Sequence, residues 1–124
     1  MSTLRVGIAS YERMKERTRA IARGELRPGP RDPKVWFPST ESLARVLSSK
    51  NQELLETIRR SEPKSLTELA VETGRAKSNL SRTIKTMERY GIVVVTHGAD
   101  GRLAPRVAFD RVEMVMEIGI AGCR

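Results

Sequence analysis

The stretch Ser65–Tyr90, SLTELAVETGRAKSNLSRTIKTMERY, constrains this chain more than any other, because it holds two helix signatures around one glycine. Leu66, Leu69 and Ala70, with Val71 beside them, give the first helix an apolar face. Leu80, Ile84 and Met87, spaced four and then three, set a second stripe along one side of a second helix. Thr73-Gly74 lies between, and glycine takes the left-handed conformation that ends a helix and redirects the chain. Ser65 and Glu68 have capping-box spacing, so the first helix has a chemical start signal as well as a periodic one. The second helix turns Ser78, Arg82, Lys85, Thr86 and Arg89 outward. The pair predicts a helix-turn-helix.

Charge suggests what such a pair would meet. The chain carries 23 Lys and Arg against 15 Asp and Glu, a formal net charge of +8. Basic chains of this kind are drawn to phosphate backbones. Residues 1–37 hold nine Lys and Arg against four acids, a local +5, and residues 73–90 hold five against Glu88, a local +4. Residues 112–124 hold Arg124 against Glu113 and Glu117, a local −1. Positive charge gathers on the second helix and the N-terminal arm, which predicts a nucleic-acid face and not a uniformly adhesive surface.

Several classes are disfavoured. At 124 residues the chain reads as one domain by size. It holds no apolar run of about 18 residues and no signal-peptide core, so no membrane partner is expected. Cys123 is the sole cysteine and His97, in a turn-like segment, the sole histidine. Neither a disulfide framework nor a metal site is expected, and a free thiol fits a reducing cytoplasm. There is no nucleophile–base pair and no Gly-rich phosphate loop, so neither an enzyme nor a cofactor is expected.

Along the chain, Leu4, Val6 and Ile8 alternate with Arg5, Gly7 and Ala9 as in a strand. Ser10 then caps a basic helix over about 11–23, with a thin stripe of Tyr11, Met14, Thr18 and Ile21 suited to packing on a sheet. Gly24 to Pro33 is a loop. Val35-Trp36-Phe37 is a short extended stretch whose aromatics are expected in the core or at a dimer contact. Helices are predicted over about 40–47, 50–60 (capped by Ser49 with Gln52), 66–73 and 77–90. A hairpin over about 92–109 turns at Gly98–Gly101, and Pro105 belongs at an edge or bulge. Val112, Met114, Met116 and Ile118 alternate in a last strand. Its partner is open among the N-terminal strand, Val35–Phe37 and a second copy. The expected class is α+β, with a DNA-binding domain at 38–110 flanked by 1–37 and 111–124 as accessory, dimer or partner segments.

The run Ser65-Leu66-Thr67-Glu68-Leu69-Ala70, then Thr73-Gly74, Lys77-Ser78-Asn79-Leu80-Ser81-Arg82 and Met87-Glu88-Arg89-Tyr90-Gly91-Ile92-Val93, resembles winged helix-turn-helix regulators of the MarR type over about residues 50–109. The resemblance implies that Lys77–Arg82 opens a recognition helix and that Gly91-Ile92-Val93 leads into a wing. Arg75 stands where an apolar residue is usual and Ala76 where a capping Ser is common, so the second helix begins without a cap. The flanks resemble small prokaryotic predicted regulators, some encoded beside toxin genes, through Phe37-x-Ser39-x-Glu41-Ser42 and the alternating terminal strands. That second resemblance implies an antitoxin-like autorepressor.

These readings assign roles. Ser78, Asn79 and Arg82 face base edges, since Arg pairs bidentately with guanine and Asn with adenine. Lys77, Lys85, Thr86 and Arg89, with Arg102 and Arg106 from the wing, hold phosphates. Trp36, Phe37, Val112, Met114 and Met116 form a homodimer contact. The partner is double-stranded DNA read as a palindrome, in a repressor. The rival is a protein-interaction module that neutralises a toxin, with autoregulation secondary. RNA binding is weaker, because no aromatic platform for stacked bases is visible.

Overall fold

The leucines around Ser65 and Gly74 form the elements their spacing predicts. The computed structural model describes residues 2–98 and 100–118. Cys123 lies outside the described residues. The class is α+β: β1 (Thr3–Ile8), α1 (Tyr11–Ala22), β2 (Val35–Phe37), α2 (Thr40–Val46), α3 (Ser49–Ser61), α4 (Leu66–Thr73), α5 (Lys77–Arg89), β3 (Val93–His97), β4 (Leu103–Val107) and β5 (Arg111–Met116). The chain divides into two units, one containing Ala44–Asp110, the other Thr3–Leu43 with the described residues from Arg111 onward. The division departs from one domain by size, and from the expected pieces 1–37, 38–110 and 111–124. The terminal segments fall together because β1 and β5 share a sheet, and the boundary falls inside α2.

In the helical unit, Leu54 and Ile58 of α3, Leu66 and Leu69 of α4, and Leu80, Ile84 and Met87 of α5 are buried with Ile92 and Val93. Each such side chain contributes roughly 1.5–3 kcal/mol of transfer free energy. Val71, expected beside this core, is 80% exposed, one helical step too far round α4. α5 packs on α4 and β3, and α3 on α4 and β4. β3 and β4 pair antiparallel from Val93↔Val107 to His97↔Leu103. His97 therefore ends a strand instead of lying in the turn. Pro105 sits opposite Val95 in this hairpin, where each strand has an unpaired outer edge and a missing N–H costs no ladder bond.

The helix starts show how local chemistry sets boundaries. Ser65 Oγ accepts from the Glu68 amide at 3.1 Å, while the Glu68 carboxylate reaches one residue further back, to the Lys64 amide at 3.0 Å. α3 begins one residue earlier than Ser49-x-x-Gln52 predicts: Ser48 is the cap and accepts from the Asn51 amide at 3.3 Å. That register lets the side chains of Asn51 and Gln52 donate to the carbonyls of Val46 and Leu47, at 3.0 and 2.8 Å. Orphan groups at the end of α2 and the start of α3 are then satisfied together. Asp110 accepts from the Ser2 amide at 3.1 Å and is ion-paired with Arg59. These two contacts hold its carboxyl below the ordinary carboxylate value.

In the sheet unit the strand order is β2-β1-β5, all parallel. β1 to β2 therefore needs a crossover, which α1 supplies. α1 itself buries no residue, its stripe being too thin. Phe37 is fully buried within the chain, so of its two expected fates it takes the core and is not available to a second copy. Trp36 lies across Gly7, where any Cβ would collide with the indole ring, and the Arg17 guanidinium stacks 5.2 Å from its centroid. β1 is the partner that the last strand takes, from Thr3↔Arg111 to Ile8↔Met116.

Candidate nucleic-acid interface

α5 is amphipathic in the literal sense. With Leu80, Ile84 and Met87 buried, helical periodicity turns Ser78, Arg82, Lys85 and Arg89 outward with Asn79 on the flank, while Lys77, three residues before Leu80, is exposed because it opens the first turn; all six are exposed. Among the described residues none of Lys77, Arg82, Lys85 and Arg89 makes an ion pair. Some cations elsewhere are matched with carboxylates, as Arg17 is with Asp32 at 2.8 Å, Arg23 with Glu25 at 3.0 Å, and Arg102 with Asp100 at 2.8 Å. α5 thus carries four unneutralised charges along about three turns, with Glu88 its sole acid.

The turn into α5 is built by an arginine. Thr73 ends α4, and Gly74 follows at φ +73°, its amide donating to the Ala70 carbonyl at 2.8 Å. Ala76 stands at the N-cap with no side-chain cap, as its methyl dictates. Arg75, which has only donors and so cannot cap the free amides, braces the start of the helix through side chains instead. Its Nε and Nη2 donate to Asn79 Oδ1 at 3.0 and 2.8 Å, its Nη1 to Asn51 Oδ1 at 3.3 Å, and Nη2 again to Thr83 Oγ1 at 3.4 Å. The fork ties α3 to the first two turns of α5.

That fork changes the expected part of Asn79. A bidentate bond to adenine needs the carboxamide oxygen as acceptor, and Arg75 occupies both its lone pairs. Asn79 is held as a strut, and Ser78 and Arg82 are left as the unengaged candidates for base edges. Thr86 donates back to the Arg82 carbonyl at 3.1 Å and is half-buried. The hairpin arginines also differ from expectation. Arg106 turns inward, its Nη1 donating to the carbonyls of Pro63 and Pro105, both at 2.7 Å, and so anchors the hairpin to the α3–α4 connection. Arg102 stays at the exposed tip, folded onto Asp100. Of the dimer residues, Val112, Met114 and Met116 are exposed on β5, whereas Phe37 is not.

An Arg75→Ala variant is expected to lose about 0.5–1.5 kcal/mol of stability. Thermal unfolding would measure it, and an unchanged midpoint would show the fork to be ornamental.

No helix of the described residues is long and apolar enough to cross a membrane. Residues 46–114 match the model of the HVO_A0114 family, over more than half of the chain. No curated protein and no solved structure matches.

Proposed function

The chain belongs to the HVO_A0114 family, and we propose that it is a sequence-specific double-stranded DNA-binding regulator, a repressor, with α5 as recognition helix in the major groove. In this reading α4, the turn and α5 are the helix-turn-helix, α3 supports them, and the β3–β4 hairpin is the wing of a winged helix. One observation carries it: Arg82, Lys85 and Arg89 lie with Ser78 on the face of α5 opposite the stripe that fixes the helix in place, Lys77 is exposed at its first turn, and none of the four cations makes an ion pair among the described residues. Unneutralised charge on a rigid helix is what a polyanion rewards, through release of condensed counterions.

Roles follow from what each side chain is free to do. Ser78 and Arg82 meet base edges. Lys77, Lys85 and Arg89 hold phosphates, with Arg102 joining once it exchanges Asp100 for the backbone. Asn79, Thr86 and Arg106 act by positioning. Arg82→Ala is expected to cost roughly 1–3 kcal/mol and to relax preference at one base pair. A loss uniform across all sequences would reduce Arg82 to a phosphate contact. Selecting bound sites from random duplex DNA with the purified chain tests the whole reading, a palindrome being the expected enrichment and no enrichment its refutation. The rival, a module that binds and neutralises another protein, draws its support from the open strand β5.

A further inference from the structure

We propose that β5 is the seam of a homodimer: a second copy lays its own β5 antiparallel against this one, with Met114 on the two-fold axis. The sheet then continues as β2-β1-β5-β5-β1-β2. The proposal rests on the dimeric reading above for its sense, but its test involves no DNA, so the two fail separately.

The sheet has two edges, and they are built differently. β2 is three residues long, lies between Pro33 and Pro38, and ends in the buried Phe37. A short strand between prolines is how natural sheets discourage further pairing. β5 is six residues long, has no proline, and exposes Val112, Met114 and Met116 at 37%, 52% and 45%. Its register with β1, Leu4↔Val112, Val6↔Met114 and Ile8↔Met116, puts those three on the face where Leu4 and Val6 are buried. The apolar face of the sheet runs out across β5 uncovered, beside a free row of backbone donors and acceptors.

The charges say that the occupant is another β5, and in which register. In a two-fold antiparallel pair each residue faces one of like parity, so that apolar face joins apolar face. Centring on Glu113 sets the two copies of that carboxylate against each other, and centring on Val115 sets Glu113 against Glu117. Centring on Val112 leaves Met116 without a partner and Met114 facing Asp110. Centring on Met114 places Arg111 opposite Glu117 at both ends, Val112 opposite Met116, and Glu113 opposite Val115. Glu113 is already bound to Arg5 of its own chain at 2.7 Å and needs no partner across the seam. Arg111 and Glu117 are exposed, and among the described residues neither makes an ion pair. Of these four registers, the one centred on Met114 alone both opposes no like charges and gives each of Val112, Met114 and Met116 an apolar partner, and it pairs the two ends of the strand that remain unmatched.

Sedimentation equilibrium of the full chain tests this. Wild type is expected to be a dimer, and R111E and E117R should each weaken it about ten-fold or more, because each opposes like charges twice. The R111E/E117R double variant should recover wild-type affinity, and mixing the two single variants should give the heterodimer. In a Cys123→Ser background, Met114→Cys should crosslink to itself under oxidation. Both charge sites are exposed, so unchanged circular dichroism accompanies the expected result. A monomeric wild type, single variants that dimerise normally, or a double variant that fails to recover would each overturn the proposal. A β5 taken up by a different protein would show as the first of these.

Discussion

Replacing Lys77, Lys85 and Arg89 together with alanine is expected to lower affinity for duplex DNA by two to three orders of magnitude at about 0.1 M salt, and hardly at all near 1 M. The size follows from counterion release, in which log K falls with log salt at about −0.9 per neutralised phosphate on B-form DNA, so three lost contacts flatten the slope by roughly 2.7. The three side chains are exposed and, among the described residues, unpaired, so no fold contact is lost with them. Alanine is also the best helix former. Stability should therefore be unchanged while binding collapses, a separation few other variants offer. Titration of one labelled duplex at several salt concentrations, for wild type and variant, reads both the affinity and the slope. Parallel slopes would mean that these cations never touch phosphate, and that α5 is not the face that meets DNA.

What the sequence conveyed divides by distance along the chain. Periodicity is local, and Leu80, Ile84 and Met87 are buried as their spacing predicts, with Ser78, Arg82, Lys85 and Arg89 outward as a geometric consequence. The missing cap at Ala76 was equally visible, since it depends on one side chain. Adjacent serines at 48 and 49 offered two cap registers, and the choice was made by carbonyls at the end of the preceding helix. Arg75 stands out in the sequence only as an odd residue: its bond to Asn79 is local, but the link to α3 runs to Asn51, 24 positions away. Arg106 was misplaced for the same reason, its Pro63 carbonyl being 43 positions back. Alternation in Val112–Met116 showed that a strand existed and needed a neighbour. That the neighbour is β1, with partners such as Arg5 and Glu113 separated by 108 positions, is a fact of chain topology that no local pattern encodes.

Leu80→Ala is expected to be the most damaging single truncation among those considered, at about 2–5 kcal/mol, since it removes a fully buried side chain and leaves a cavity between α5 and the helices behind it. Domains of this size hold only about 5–15 kcal/mol, so the loss is a large fraction of the whole. Three comparisons make the number interpretable. Leu80→Met keeps the volume and should cost under about 1.5 kcal/mol. Ser65→Ala removes one cap bond and should cost about 1 kcal/mol. Val71→Ala touches a side chain that is 80% exposed and should stay within about 0.5 kcal/mol of wild type. Urea midpoints should fall in that order, and a Val71 effect matching Leu80 would mean that α4 is rotated from the position described. The same variant separates support from contact at the proposed interface. Leu80→Ala should lose DNA binding only in proportion to the fraction unfolded, and recover it under stabilising conditions. Arg82→Ala, fully folded throughout, should not recover it.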